Sequence, residues 1–194
     1  LHDALPISFA QWKNLELRRI AGEPVAYLLG KRGFHNIELF VAPGVLIPRP
    51  ETELLVEIGL CEIARLEQPA RVLDLGTGSG AIALAIAHET TNVMVTATDE
   101  SSEALEIAKT NATLLNVASK VEFAQGSWYL AIKPQDPFDI ILSNPPYIAS
   151  GDAHLNQGDL RFEPISALTD HAGGLTCLEV IIAGALAHLK PNGL

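Results

Sequence analysis

The sequence of 194 residues has 48% hydrophobic and 19% charged side chains, which excludes a disordered chain and supports one core-bearing domain with an appendage. Its formal charge of −10 argues against direct nucleic-acid binding, which rests on Lys and Arg neutralising phosphates, and favours a basic partner. Two distant cysteines, Cys61 and Cys177, exclude a disulfide framework or zinc site and suggest a reducing, cytoplasmic setting, while no apolar run or leader pattern suggests a membrane partner.

In chain order, residues 1–8 show no periodicity that continues into residue 9 and beyond, and read as a non-native scar. Residues 9–32 read as the remnant of a helical domain. Two short helical patterns lie between Trp12 and Gly30, the second opening at Pro24 and closing at Gly30. Residues 33–50 read as a β-hairpin linker, with Phe34–Phe40 and Val45–Ile47 paired across Ala42-Pro43-Gly44. A helix over Thr52–Leu66 opens the main domain, residues 51–194. From Arg71, strands alternate with helices: Val72-Leu73, a helix over Ser79–His88, Met94–Ala97, a helix over Ser102–Asn116, Val121–Phe123, Phe138–Leu142 and a helix over Leu175–Leu189. This alternation predicts an α/β, doubly wound, three-layer domain of parallel strands with right-handed crossovers. Both ends read as cut. The last residues resemble a turn entering a further strand, so the strand over Phe138–Leu142 is expected to be an open apolar edge and the fragment poorly stable alone.

Three stretches carry chemistry. The first strand ends in Val72-Leu73-Asp74-Leu75-Gly76-Thr77-Gly78-Ser79-Gly80, a glycine-rich turn that lets backbone approach a ligand closely. The spacing is GxGxG rather than the dinucleotide GxGxxG, and no Gly-Lys-Ser/Thr marks a P-loop. Asp74, an anion beside the turn, disfavours a pyrophosphate and suits the ammonium and sulfonium of S-adenosylmethionine. An ordinary strand-to-helix turn accounts for the glycines equally well. The second strand ends on Asp99, where a carboxylate would grip a ribose diol, although Asp99 also fits a helix cap. Trp128, after the third strand, is placed to flank an adenine or to fill the core.

The fourth strand stops at Asn144-Pro145-Pro146-Tyr147. With strands in the order 3-2-1-4, this stretch neighbours the glycine loop at the point where the chain reverses, which is where ligands bind. A planar amide or aromatic amine is a poor nucleophile because its lone pair is delocalised. Two acceptors, the Asn144 side-chain oxygen and the Pro145 carbonyl, can hold its two N–H groups while the prolines fix the backbone and Tyr147 offers a stacking face.

Asp74–Gly80 with Asn144–Tyr147 resembles the class I amino-methyltransferases, whose fold is a Rossmann-like doubly wound sheet. Arg18–Gly30 (RRIAGEPVAYLLG), Leu46–Glu53 (LIPRPETE) and Arg161-Phe162-Glu163-Pro164 are similar to the HemK-type release-factor glutamine methyltransferases. The resemblance covers about Leu15–Leu194. It implies S-adenosylmethionine as cofactor, class I peptide chain release factors as partner, and transfer of a methyl group to the side-chain amide nitrogen of the glutamine in their Gly-Gly-Gln tip. It also implies a seven-stranded domain, of which three strands fall beyond this chain. Carried over, Gly76, Thr77, Gly78 and Gly80 line the methionine part, Asp99 the ribose and Trp128 the adenine side, and Asn144, Pro145, Pro146 and Tyr147 hold the glutamine amide. The Pro48–Glu53 loop covers the site. Arg49, Glu51 and Glu53 also fit as charges pairing at a helix start, and Arg161 and Glu163 suit a structural ion pair as readily as a substrate contact. Ser127 departs from the acidic residue common before the tryptophan. Two other readings stand beside this one: an N-methyltransferase acting on a nucleic-acid base amine, and a non-catalytic protein that only binds S-adenosylmethionine.

Overall fold

The computed structural model describes residues 7–132 and 137–194. Helix α1 (Phe9–Ile20) is started by a reciprocal cap: Ser8 Oγ accepts the Gln11 amide at 3.2 Å and Gln11 Oε1 accepts the Ser8 amide at 2.8 Å. Ser8 is therefore the cap of this helix. Residues 1–6 of that opening lie outside the described residues. Helix α2 (Val25–Leu29) follows Pro24 and ends on Gly30, whose φ of 68° supplies the left-handed turn that glycine adopts without strain.

The hairpin differs from the expected one. Strands β1 (Lys31–Phe34) and β2 (Ile37–Phe40) pair antiparallel around His35-Asn36, with His35 at φ 50°. Val45 and Ile47 are buried but form no strand, because their backbone groups are taken by side chains. Val45 O accepts the Tyr27 hydroxyl at 2.6 Å and the Ile47 amide donates to Glu163 at 3.3 Å.

A 3-10 turn at Pro50–Thr52 leads into α3 (Glu53–Ile63). There follow β3 (Ala70–Leu75), α4 (Ala81–Glu89), β4 (Val93–Asp99), α5 (Ser102–Leu114), β5 (Val121–Gln125), β6 (Ile140–Ser143) and α6 (Thr176–His188). The four later strands are parallel in the order β5-β4-β3-β6, so the chain reverses between β3 and β6 as expected. Buried side chains of α3, α4 and α5 pack in one core with Val72, while Leu73 and Leu75 pack with Trp128 and Ile181 of α6. Burial on both faces explains why β3 reads as an apolar run.

The edge of β6 is covered over its first part. The Phe138 amide donates to His188 O and the Lys190 amide to Phe138 O, both at 2.8 Å. Farther along, the Ile141 amide donates to Leu194 O at 2.8 Å and Lys190 Nζ meets the Asp139 carboxylate at 2.9 Å. Residues after α6 thus pair the part of this edge up to the Ile141 amide. Among the described residues, no helix is long and apolar enough to cross a membrane.

Candidate active site

At the carboxyl end of β3 the chain turns through Gly76 (φ 72°), Gly78 (φ 56°) and Gly80 (φ 88°). A Cβ on Gly78 would meet nothing within 4 Å, and one on Gly76 would lie 3.5 Å from the Trp128 ring, so backbone is bared toward an open space flanked by an indole. Gly80 does something else. It starts α4 and has Leu84 packed on it, with Cδ1 2.7 Å from where a Cβ would stand.

Asp74 does not face the ligand space. It is fully buried beneath the loop, where its Oδ2 accepts the Thr77 hydroxyl at 2.6 Å and the Ala83 amide at 3.2 Å. It holds the glycine turn onto α4, and a direct contact with a sulfonium is not available to it. Burial pushes its carboxyl up to about 6, against the opposing pull of Thr77 and Ala83. A raised acid stabilises the fold most below its unfolded value and loses that contribution as pH rises through about 6. We therefore expect Asp74→Asn, neutral and still able to accept from Thr77 and Ala83, to flatten the pH dependence of stability between about 4 and about 6 in denaturant titrations. Equal slopes for both proteins would contradict this.

Asp99 ends β4 beside the same loop. Its Oδ2 accepts the Gly78 amide at 2.8 Å and its Oδ1 accepts the Ser101 amide at 2.9 Å. Both expected roles are thus compatible: one carboxylate closes the glycine turn and tethers the start of α5, while each oxygen keeps a second lone pair. Burial raises its pKa, opposed by those amides. Asn111, buried in α5, ties the loop to the hairpin through Nδ2 bonds to Ser79 O at 2.9 Å and Phe40 O at 3.0 Å.

These elements open into a cavity of about 610 Å³. Of the residues singled out by sequence, Gly76, Thr77, Gly78, Asp99, Trp128, Asn144 and Pro146 line it, as does Ser127. Asp74, Gly80, Pro145 and Tyr147 do not. Pro145 is buried behind the wall, and Tyr147 stands 60% exposed at the surface. Among the described residues, the wall also carries Glu100, Glu103 and Asp170 against a single Arg side chain, Arg49. Bared glycine backbone, an indole, a carboxylate with free lone pairs and an acidic wall fit an adenosyl group bearing a cationic sulfonium and ammonium.

Asn144 follows β6, whose Ser143 hydroxyl is anchored on Leu75 O at 2.7 Å. The Asn144 Nδ2 donates to Thr52 Oγ1 at 3.2 Å. Beyond the prolines, the Ile148 amide donates to Leu168 O at 2.9 Å and the Ser150 amide to Ala172 O at 2.8 Å, fastening this stretch to the segment before α6. That segment is shaped by Asp170, whose carboxylate accepts from the amides of Ala172, Gly174 and Thr176 at 2.8–3.0 Å. Arg49 pairs with Glu163 at 2.6 Å. The expected charges re-sort accordingly: Glu163 serves Arg49, Arg161 lies over the Phe162 ring at 5.2 Å, and Glu53 accepts the His35 amide at 3.0 Å.

Residues 52–162 match the family described as Methyltransferase small domain. The release factor glutamine methyltransferase of Bordetella pertussis is 52% identical over 99% of this chain and 71% of its own length. The chain belongs to the release factor glutamine methyltransferase family. The corresponding protein of Neisseria gonorrhoeae is also 52% identical, over 93% of this chain and 64% of its own length. The chain thus spans about two thirds of the relatives it matches. Among solved structures, a ribosomal protein L11 methylase from Lactobacillus delbrueckii subsp. bulgaricus superposes with a TM-score of 0.52 at 25% identity, covering 79% of this chain and 62% of that one. The hMettl16 catalytic domain in complex with the MAT2A 3'UTR hairpin 1 gives 0.61 at 18% identity over 77% of this chain and 56% of that one, a likeness of fold.

The class I methyltransferase fold of the family explains why the glycine loop and Asn144 share one cavity. Other parts of this family member's site have no local signature. Thr52 and Asn144 are 92 residues apart, and Arg49 and Glu163 are 114 apart. Asp170 and Gly174 fall in a stretch without regular periodicity. Only the alternation of β3 holds a usable clue, since Asp74 shares the face of Val72, which packs toward α4.

Proposed function

We propose that the protein transfers a methyl group from S-adenosylmethionine to the side-chain amide nitrogen of the glutamine in the Gly-Gly-Gln tip of a class I peptide chain release factor, in the cytoplasm. The observation that carries this reading is Asn144, set at the end of β6 in the same cavity as the glycine loop, with its amide nitrogen engaged by Thr52 and its oxygen left for a ligand. The family relationship supports the same substrate.

In this reading the bound cofactor supplies a methyl group on a sulfonium that departs as a neutral thioether. Gly76 and Gly78 offer backbone to its methionine part, Asp99 accepts from the ribose hydroxyls and Trp128 flanks the base. Asn144 Oδ1 accepts an amide N–H group of the substrate, orienting the nitrogen for in-line attack. The nitrogen becomes acidic only as the new N–C bond forms, so one proton passes to water and no strong base is needed.

Replacing Asp99 by Ala removes two acceptors for the ribose as well as the tether on Gly78. Calorimetry is expected to show S-adenosylmethionine bound about 10- to 100-fold more weakly, from about 1 kcal/mol per lost hydrogen bond. An unchanged affinity would remove Asp99 from the cofactor site.

The test of the function is transfer of label from S-adenosylmethionine by the full-length protein. Label is expected on an intact release factor and not on RNA or DNA. Label on nucleic acid alone would assign the Asn144 clamp to a base amine, and cofactor binding without transfer to any of these would leave a non-catalytic binding protein.

A further inference from the structure

Threonine at a helix start normally turns its hydroxyl back onto the first free amides. Thr52 precedes α3 but makes no such cap: its backbone is already helical, at φ −72° and ψ −19°. The hydroxyl faces across the cavity instead and accepts Asn144 Nδ2 at 3.2 Å. The loop that presents it is held firmly. Ile47 and Arg49 both bond Glu163, whose side chain is wholly buried, and Arg32 Nε donates to Pro48 O at 3.3 Å. The neighbouring hydroxyl of Ser143 is committed to Leu75 O and does not compete.

A side-chain amide can sit in its slot two ways, related by a half-turn that exchanges oxygen and nitrogen. One presents an acceptor to the cavity and the other presents two donors. A substrate amide brings N–H groups, so only the first can hold it. We propose that Thr52 is the positioning residue that anchors Asn144 in this orientation, accepting from its Nδ2 while Oδ1 faces the substrate nitrogen. This rests on the amide-methylation reading above. In this role Thr52 acts through Asn144.

Thr52→Val keeps the shape and removes the acceptor. It is expected to lower kcat for release-factor methylation about 10- to 100-fold, the range set by one unpaired polar group. The affinity for S-adenosylmethionine and the melting temperature stay near those of the parent. Thr52→Ser restores kcat to within about threefold, since the hydroxyl returns. In an Asn144→Ala background, Thr52→Val has no further effect, as a residue acting only through Asn144 must behave. A full loss with T52S, or an equal loss from T52V with and without Asn144, would overturn the proposal, as would an unchanged kcat in T52V. A substrate-free readout separates this from the functional reading: hydrogen exchange of the Asn144 side-chain amide, followed by NMR, is expected to quicken in T52V. Equal exchange rates in T52V and the parent overturn the positioning role. A parent protein that transfers no methyl to any release factor overturns the functional reading instead.

Discussion

Replacing Asn144 by Ala lowers kcat for methyl transfer to a release factor about 10²- to 10³-fold, the loss typical of one preorganised polar group aimed at the reacting centre. Cofactor affinity is expected to change little, because the glycine loop and Asp99 are held by Thr77, Ala83, Ser101 and Asn111 rather than by Asn144. A delocalised amide lone pair has almost no basicity, so orientation is most of what the protein can contribute to its attack. Single-turnover kinetics alongside calorimetry with S-adenosylmethionine checks both halves. If the two fall together, Asn144 serves the cofactor and the amide clamp is wrong.

The second large effect lies outside the motif. Gly174 stands at φ 86° with Tyr147 O only 2.5 Å from where a Cβ would be, a backbone atom that cannot swing aside. Gly174→Ala combines a left-handed backbone, which costs about 1–2 kcal/mol for an L-residue, with a clash against the stretch that carries the substrate clamp. The amides of Ile148 and Ser150, bonded to Leu168 and Ala172, transmit the displacement along Tyr147–Ser150. A loss of about tenfold or more in kcat/KM and a lower melting temperature are expected, with cofactor affinity retained. Gly173→Ala is the control, because a Cβ there meets nothing within 4 Å. Equal behaviour of the two variants would show that this contact does not shape the site.

The same segment depends on an Asp170 carboxylate that stays ionised well into acid. Burial opposes this, but the amides of Thr176, Ala172 and Gly174 outweigh it and hold the pKa down at about 2. A depressed acid contributes above its unfolded value and loses that contribution as pH falls through about 2, so the segment before α6 keeps its shape across neutral pH.

The catalytic half of this architecture is legible in the sequence because its signals are local. Strands buried on both faces read as apolar runs, and a glycine turn or a proline pair at a strand end marks itself. The hairpin reads wrongly for a physical reason: Val41, Val45 and Ile47 are as buried as a strand would be, yet Tyr27 and Glu163 satisfy the loop from far along the chain. Its true turn, His35-Asn36, contains no glycine to announce it. The charge of Asp74 and its glycine neighbours point to the ligand, whereas the strand alternation sets it on the face toward α4. Thr52, Glu163 and Gly174 gain their roles from tertiary contacts that no spacing in the sequence encodes.

The most direct test of the proposed activity is residue-resolved mass spectrometry of a release factor after incubation with the full-length protein and S-adenosylmethionine. One added methyl group is expected, on the side-chain amide of the glutamine in the Gly-Gly-Gln tip, and none when that glutamine is replaced by alanine. A methyl group on any other residue, or one that persists in the alanine variant, would contradict the amide clamp built around Asn144.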